Sequence, residues 1–189
     1  MRKSSIVLYS ALLILLFLLA WQWSSKNYYA SQIQAAGRYN AQLSMLSGIG
    51  PLRSAHLHAD VKVYINDKAI DFSQQKYQLR TDYMHFEDGI GDVMHTHAKG
   101  LTVGHMLNSV GINFNRQCLI VEGSEYCNEG NKTVKFYVNG KVTGGFESYA
   151  VRDMDKYLIS YGSESKEAIK KQIDSVTDLA KKYSGKNEE

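Results

Sequence analysis

Proline occurs once and cysteine twice in 189 residues, and the short motifs that mark common enzyme classes are missing. The chain has no G-x-S-x-G elbow, H-E-x-x-H pair, phosphate loop or dinucleotide fingerprint, so the pattern gives no footing to serine-hydrolase, zincin or nucleotide-dependent chemistry. It also lacks C-x-x-C, which leaves a thioredoxin-like redox role weak. The net charge is only +3. The lysines are scattered or crowded near the C-terminal end and form no stripe interleaved with aromatics, so nucleic-acid binding has no support. What is abundant is tyrosine, at thirteen. Many tyrosines with almost no proline suit a strand-rich domain.

Residues 6–23 carry no charged side chain and are dominated by leucine. About 18 such residues lie near the lower limit for crossing a bilayer as a helix. Arg2 and Lys3 precede the run and place the N-terminus in the cytoplasm, while Trp21 and Trp23 sit at its far end, where indoles favour the headgroup level. A cleaved signal peptide is the alternative, but the run is long for one and no small-x-small site follows promptly. The expected organisation is a cytoplasmic tip (1–5), a transmembrane anchor (6–23), a stalk and linker (24–54), an extracytoplasmic histidine-rich domain (55–162), and an amphipathic helix with a polar tail (163–189). This is a single-pass protein of the cell membrane, with a membrane protein complex as a candidate partner.

Past Ser47-Gly48-Ile49-Gly50-Pro51, a helix-breaking run, strand patterns dominate. Residues 56–65 alternate: Leu57, Ala59, Val61, Val63 and Ile65 share one face, and His56, His58, Asp60, Lys62 and Tyr64 the other. Short strands are expected near 83–87 and 93–97, and longer ones at 133–138 and 156–161. Asn139-Gly140 is the strongest hairpin turn in the chain. Val61-Lys62-Val63-Tyr64-Ile65-Asn66 and Val134-Lys135-Phe136-Tyr137-Val138-Asn139 resemble each other. Thr102 caps a short helix whose Val103, Met106, Leu107 and Val110 form an apolar face. Ile169, Ile173, Val176, Leu179 and Tyr183 mark a last amphipathic helix. The fold class is α+β, a mixed or antiparallel sheet behind a transmembrane helix, with a β-grasp-like roll as the leading arrangement.

All six histidines lie between His56 and His105. His56 and His58 form one H-x-H pair, His95 and His97 another, and His85 has Glu87 two residues on. On a strand, residues two apart point to one side, so each unit projects two ligating groups from a single face. If the three strands are neighbours, up to six groups converge, where a transition-metal site needs three or four. Met84 and Met94 alternate away from the histidines and read as core. A mostly imidazole site with one carboxylate suits Cu(II) or Zn(II). His56, His58, His85, Glu87, His95 and His97 are therefore the candidate ligands. His105, on the outer side of its helix, carries little weight. No catalytic residue is assigned, although Glu87 could act as a base beside a bound metal.

Cys118 and Cys127 flank a predicted hairpin. Counting outward from a Glu122-Gly123 turn pairs Val121 with Ser124, Ile120 with Glu125, Leu119 with Tyr126 and Cys118 with Cys127. The last pair is non-hydrogen-bonded, with Cα atoms about 4.5 Å apart, within disulfide range. Asn131-Lys132-Thr133 is a glycosylation sequon in a loop. The function this pattern points to is metal binding or delivery outside the cytoplasm. An accessory subunit of a membrane complex is the alternative, followed by a thiol-disulfide oxidoreductase.

Several stretches carry a family likeness: His56-Leu57-His58-Ala59-Asp60, Val63-Tyr64-Ile65-Asn66, Asp71-Phe72-Ser73, His95-Thr96-His97-Ala98 with Gly100-Leu101-Thr102-Val103-Gly104, Phe136-Tyr137-Val138-Asn139-Gly140, and Leu158-Ile159-Ser160-Tyr161-Gly162. Over roughly 55–162 the chain resembles a group of membrane-anchored, externally facing archaeal proteins common in ammonia-oxidising lineages. The resemblance implies export and these domain limits. Some of that group bear a disulfide-isomerase-like label, from which this chain departs in lacking C-x-x-C. The lineage's wealth of extracytoplasmic copper proteins raises the copper reading modestly, by association only, and both metals stay open.

Overall fold

A computed structural model describes residues 2–184, with side chains from Leu8 onward. Arg2 and Lys3, on whose charges the expected orientation rests, lie outside the described side chains, and so does the tail from 185 to 189. The chain divides after Ser47 into two compact units.

The first unit is one helix, α1 (Arg2–Ser47). Leu12, Leu13, Ile14, Leu15, Leu16, Phe17, Leu18 and Leu19 are consecutive and all exposed. Eight successive apolar residues cover every side of a helix, which water solvates poorly and lipid solvates well. Among the described residues, α1 is the one helix long and apolar enough to cross a membrane. Gly48, at φ 71°, follows its last residue in the left-handed conformation that commonly ends helices.

In the second unit, β1 (Leu57–Ile65), β2 (Lys68–Ala69), β3 (Met84–His85) and β4 (Val93–Thr96) precede α2 (Val103–Ser109). Then come β5 (Ile112–Phe114), β6 (Cys118–Val121), β7 (Ser124–Cys127), β8 (Thr133–Val138), β9 (Lys141–Val142), β10 (Lys156–Gly162) and α3 (Lys166–Ser175). The main sheet runs β3-β4-β1-β10-β8-β9, with β2 also paired to β1, and β5-β6-β7 form a second sheet. Among the described strands, β1 and β10 are the pair that runs parallel, Val61 opposite Tyr157. The sheet is mixed and the architecture α+β. The two similar segments, on β1 and β8, flank β10 on its two sides, one parallel to it and one antiparallel.

Three tight turns set the local registers. Asn66-Asp67, Glu122-Gly123 and Asn139-Gly140 all have positive φ at both positions, the geometry that matches strand twist in two-residue hairpins. The first joins β1 to β2, the second β6 to β7 and the third β8 to β9. The middle turn places Cys118 opposite Cys127, and the two form a disulfide with Cα atoms 4.0 Å apart.

The strand alternation separates two faces. Ala59, Val61 and Val63 of β1, Phe136 of β8, Tyr157 and Ile159 of β10 and Met94 of β4 belong to one buried core that includes Val103, Met106 and Leu107 of α2. The opposite face carries His58, Asp60, Lys62 and Tyr64, and the chain beyond β10 folds back over it. Here the structure departs from the periodicity. The expected helix through Tyr183 stops at Ser175, and Leu179–Lys182 is a separate 3-10 turn. Its cause is Asp60, which is 1 % exposed. The Asp60 carboxylate accepts from Thr177 Oγ1, from Leu179 N at 2.9 Å and from Ala180 N at 3.1 Å. Those donors cannot reach one strand carboxylate while also lying in a continuing α-helix. Burial pushes this carboxyl above its ordinary value, and the donors from Thr177, Ala180 and Leu179 pull it partly back.

Candidate metal centre

The order β3-β4-β1 lines up histidines across three strands. His58 pairs with His95 and His95 with His85, forming one row on the face opposite the apolar core. A second row lies just past the strand ends. His56 immediately precedes β1, and His97 follows β4, donating its backbone N–H to Tyr83 O and accepting from Arg53 N.

The five rings form a closed circuit. Centroid separations are 4.7 Å for His56–His58, 4.5 Å for His58–His95, 5.9 Å for His95–His85, 5.1 Å for His85–His97 and 5.0 Å for His97–His56. Within it, one ligand nitrogen from each of His56, His58 and His95 lies within 4.8 Å of the others. His58 and His95 are buried, and His56 is exposed.

Glu87, the sixth predicted ligand, sits between two rings. Its Oε1 is 3.2 Å from His95 Nδ1 and its Oε2 is 3.3 Å from His85 Nε2. A carboxylate on the Nδ1 side of His95 favours the tautomer that leaves Nε2 with a lone pair, the arrangement that orients histidine toward metals. His85 is held from its other side, Nδ1–H donating to Thr81 O at 2.8 Å. Burial, followed by the neighbouring His58, His85, His97 and His56, lowers the His95 imidazole to about 3. At neutral pH this ring is uncharged, as a metal ligand must be.

One side of the circuit is walled and another is open. The Tyr183 ring stands 5.5 Å from His58 and 5.4 Å from His95, held there by the turn that Asp60 pins. The other side opens on a depression of about 920 Å³ lined by Leu52, Arg53, Ala55, His56, His85 and His97 among others. Neither Tyr183 nor Asp60 was assigned to the site from the sequence. Asp60 shares a strand face with His58, which was a usable signal. Nothing local links Asp60 or the histidine strands to the chain's last segment, where Tyr183 lies.

The remaining candidates lie elsewhere. His105 completes a capping box on α2: Thr102 N donates to His105 Nδ1 at 3.1 Å and His105 N donates to Thr102 Oγ1 at 3.2 Å. That accounts for it structurally. Cys118 and Cys127 are on the second sheet, joined to each other. Asn131 is exposed between β7 and β8. Comparison of the chain with protein-family models, with curated proteins and with solved structures finds no match.

Proposed function

We propose that this chain is a membrane-anchored domain outside the cytoplasm that binds a transition metal, copper or zinc, and delivers it. The observation that carries this reading is the trio His56, His58 and His95, two of them buried and all three able to bring a nitrogen within 4.8 Å of the others. Imidazole donors of this kind suit Cu(II) and Zn(II). Around a tetrahedral ion such nitrogens stand roughly 3.3 Å apart, from bond lengths of about 2.0–2.1 Å. His56 is the exposed member of the trio, and its turning inward would close the difference. An open side beside a walled one suits an ion that must be passed on.

The outward placement is supported by Arg2 and Lys3 ahead of the apolar run and by a disulfide, which persists in oxidising compartments. A second role, as a subunit of a membrane complex, is favoured by one observation. Beyond the leucine-rich stretch, Tyr29, Ile33, Tyr39 and Leu43 are exposed on α1 at helical spacing, a stripe suited to a partner helix.

Full-length protein in detergent, stripped of metal and titrated with Cu(II) and with Zn(II), is expected to bind either ion. His58→Ala combined with His95→Ala should abolish binding at the trio, and calorimetry that finds no change in the double variant would sink the assignment. Protease added to right-side-out vesicles should remove the second unit and leave a short membrane-held stub. Protection until the membrane is broken would reverse the orientation.

A further inference from the structure

Five imidazoles and a carboxylate are more donors than one four-coordinate ion uses. The trio accounts for three, and His85, Glu87 and His97 remain. Their geometry is specific. Thr81 O can only accept, so His85 Nδ1, 2.8 Å away, carries a proton. In the neutral ring, Nε2 then carries a lone pair, and that lone pair faces Glu87 Oε2 at 3.3 Å. Two acceptors facing each other repel unless a cation lies between them. The separation matches that expected of two donors sharing a tetrahedral ion, roughly 3.3–3.4 Å for bonds of about 2.0–2.1 Å. The His97 ring is 5.1 Å from His85. Both histidines line the open depression together with Asp82, so an ion has a route in and water can complete its shell.

We propose that the cluster is a two-ion centre, in which a second Cu(II) or Zn(II) ion binds His85 Nε2 and Glu87 Oε2, with His97 as its third protein donor, beside the ion on His56, His58 and His95. The proposal extends the metal-binding reading and rests on it for the class of ion. Glu87 links the two positions, since its other oxygen faces His95 Nδ1 at 3.2 Å. The rival cation is a proton, which would make His85 and Glu87 an ion pair and leave one metal ion per chain.

The test uses full-length protein in detergent, stripped of metal, loaded with Cu(II) and freed of excess by desalting. Elemental analysis should give about two copper ions per chain. Electron paramagnetic resonance should account for less spin than copper, because ions this close couple. His85→Gln, and separately His97→Gln, should retain one ion with the full signal of isolated Cu(II). His58→Ala should lose the first ion and retain the second. Glu87→Gln serves where circular dichroism finds either histidine variant misfolded, and His105→Ala should change nothing. One ion in both the parent chain and His85→Gln would overturn the second ion while leaving the trio intact. Two uncoupled ions unaffected by His85→Gln would mark the second as adventitious and overturn it equally. No bound ion in the parent chain would remove both readings.

Discussion

On one face of the main sheet, Val61, Val63, Phe136 and Ile159 are buried against apolar neighbours, and on the other, His58, Asp60, His95 and Ser160 are buried to the same degree. The first face is closed by dispersion and the loss of apolar hydration, which need no particular partner. On the second, burial favours polar groups that meet a specific counterpart, because a buried polar atom without one is costly, and Ser160 Oγ, buried with no hydrogen-bond partner, bears that cost. Asp60 meets two backbone N–H groups and a hydroxyl. His95 meets Glu87, and Lys62 meets Asp92 at 2.5 Å. The apolar face thus supplies bulk stability. The polar face holds chemically competent groups in place at the expense of tolerance to change.

The largest effect should come from the apolar face. Phe136→Ala removes a fully buried ring and should lower stability by about 3–5 kcal/mol, read as a shift in the denaturant midpoint. A loss below about 1 kcal/mol would mean that this face is not the main source of stability. On the polar face, Asp60→Ala leaves three donors without their acceptor and should cost roughly 2–3 kcal/mol. Amide protons of Leu179 and Ala180 should then exchange faster than in the parent chain. Unchanged exchange there would show that the last segment is held by something other than Asp60.

The pH response should distinguish the faces next. In metal-free protein, an unfolded chain protonates His95 as pH falls through the ordinary imidazole value near 6.5, whereas the folded chain resists until about 3. The stability from keeping this ring neutral is therefore complete above about pH 6.5 and is lost progressively as pH falls toward 3, by at most about 1.4 kcal/mol per pH unit. Asp60, whose value is raised, acts oppositely at the acid end, where the folded chain takes up its proton first. An Asp60→Asn background isolates the histidine. Within it, His95→Gln should flatten the thermal-midpoint profile between pH 6.5 and 4, and an unchanged slope would remove His95 as its source. The smallest effect belongs to the rim of the polar face. Lys62 and Asp92 are both partly exposed, so Asp92→Asn should cost less than about 1 kcal/mol by the same denaturant measurement.

These differences also mark how far the sequence could be read. Alternation along 56–65 tells which residues share a face, because strand geometry has a fixed period of two. The Cys118–Cys127 pairing follows from a two-residue turn, a purely local device. Both were legible. That His58, His95 and His85 fall in one row depends on β4 lying between β1 and β3, and on a register with no local signature. The parallel pairing of β1 with β10 joins Val61 to Tyr157 across most of the domain, beyond the reach of any window along the chain. The stop at Ser175 was hidden for the same reason. Ile169, Ile173, Val176, Leu179 and Tyr183 keep helical spacing, yet the last three lie beyond the helix end, where Asp60, far away in sequence, accepts from Leu179 N and Ala180 N. Periodicity identifies a face but not what will cover it.

The pairing of β1 with β10 also orders events in time. A chain made at about 5–20 residues per second leaves β1 waiting roughly 5–20 s for the strand beside it, and longer for Tyr183. Throughout that interval its histidines are on the emerged portion of the nascent chain with neither the wall nor the central pairing in place. Any ion met then would be chelated by an unfinished strand. The finished site belongs to a domain whose entire length, from His56 to Tyr183, has already been synthesised and, on the outward orientation proposed above, has already passed through the membrane.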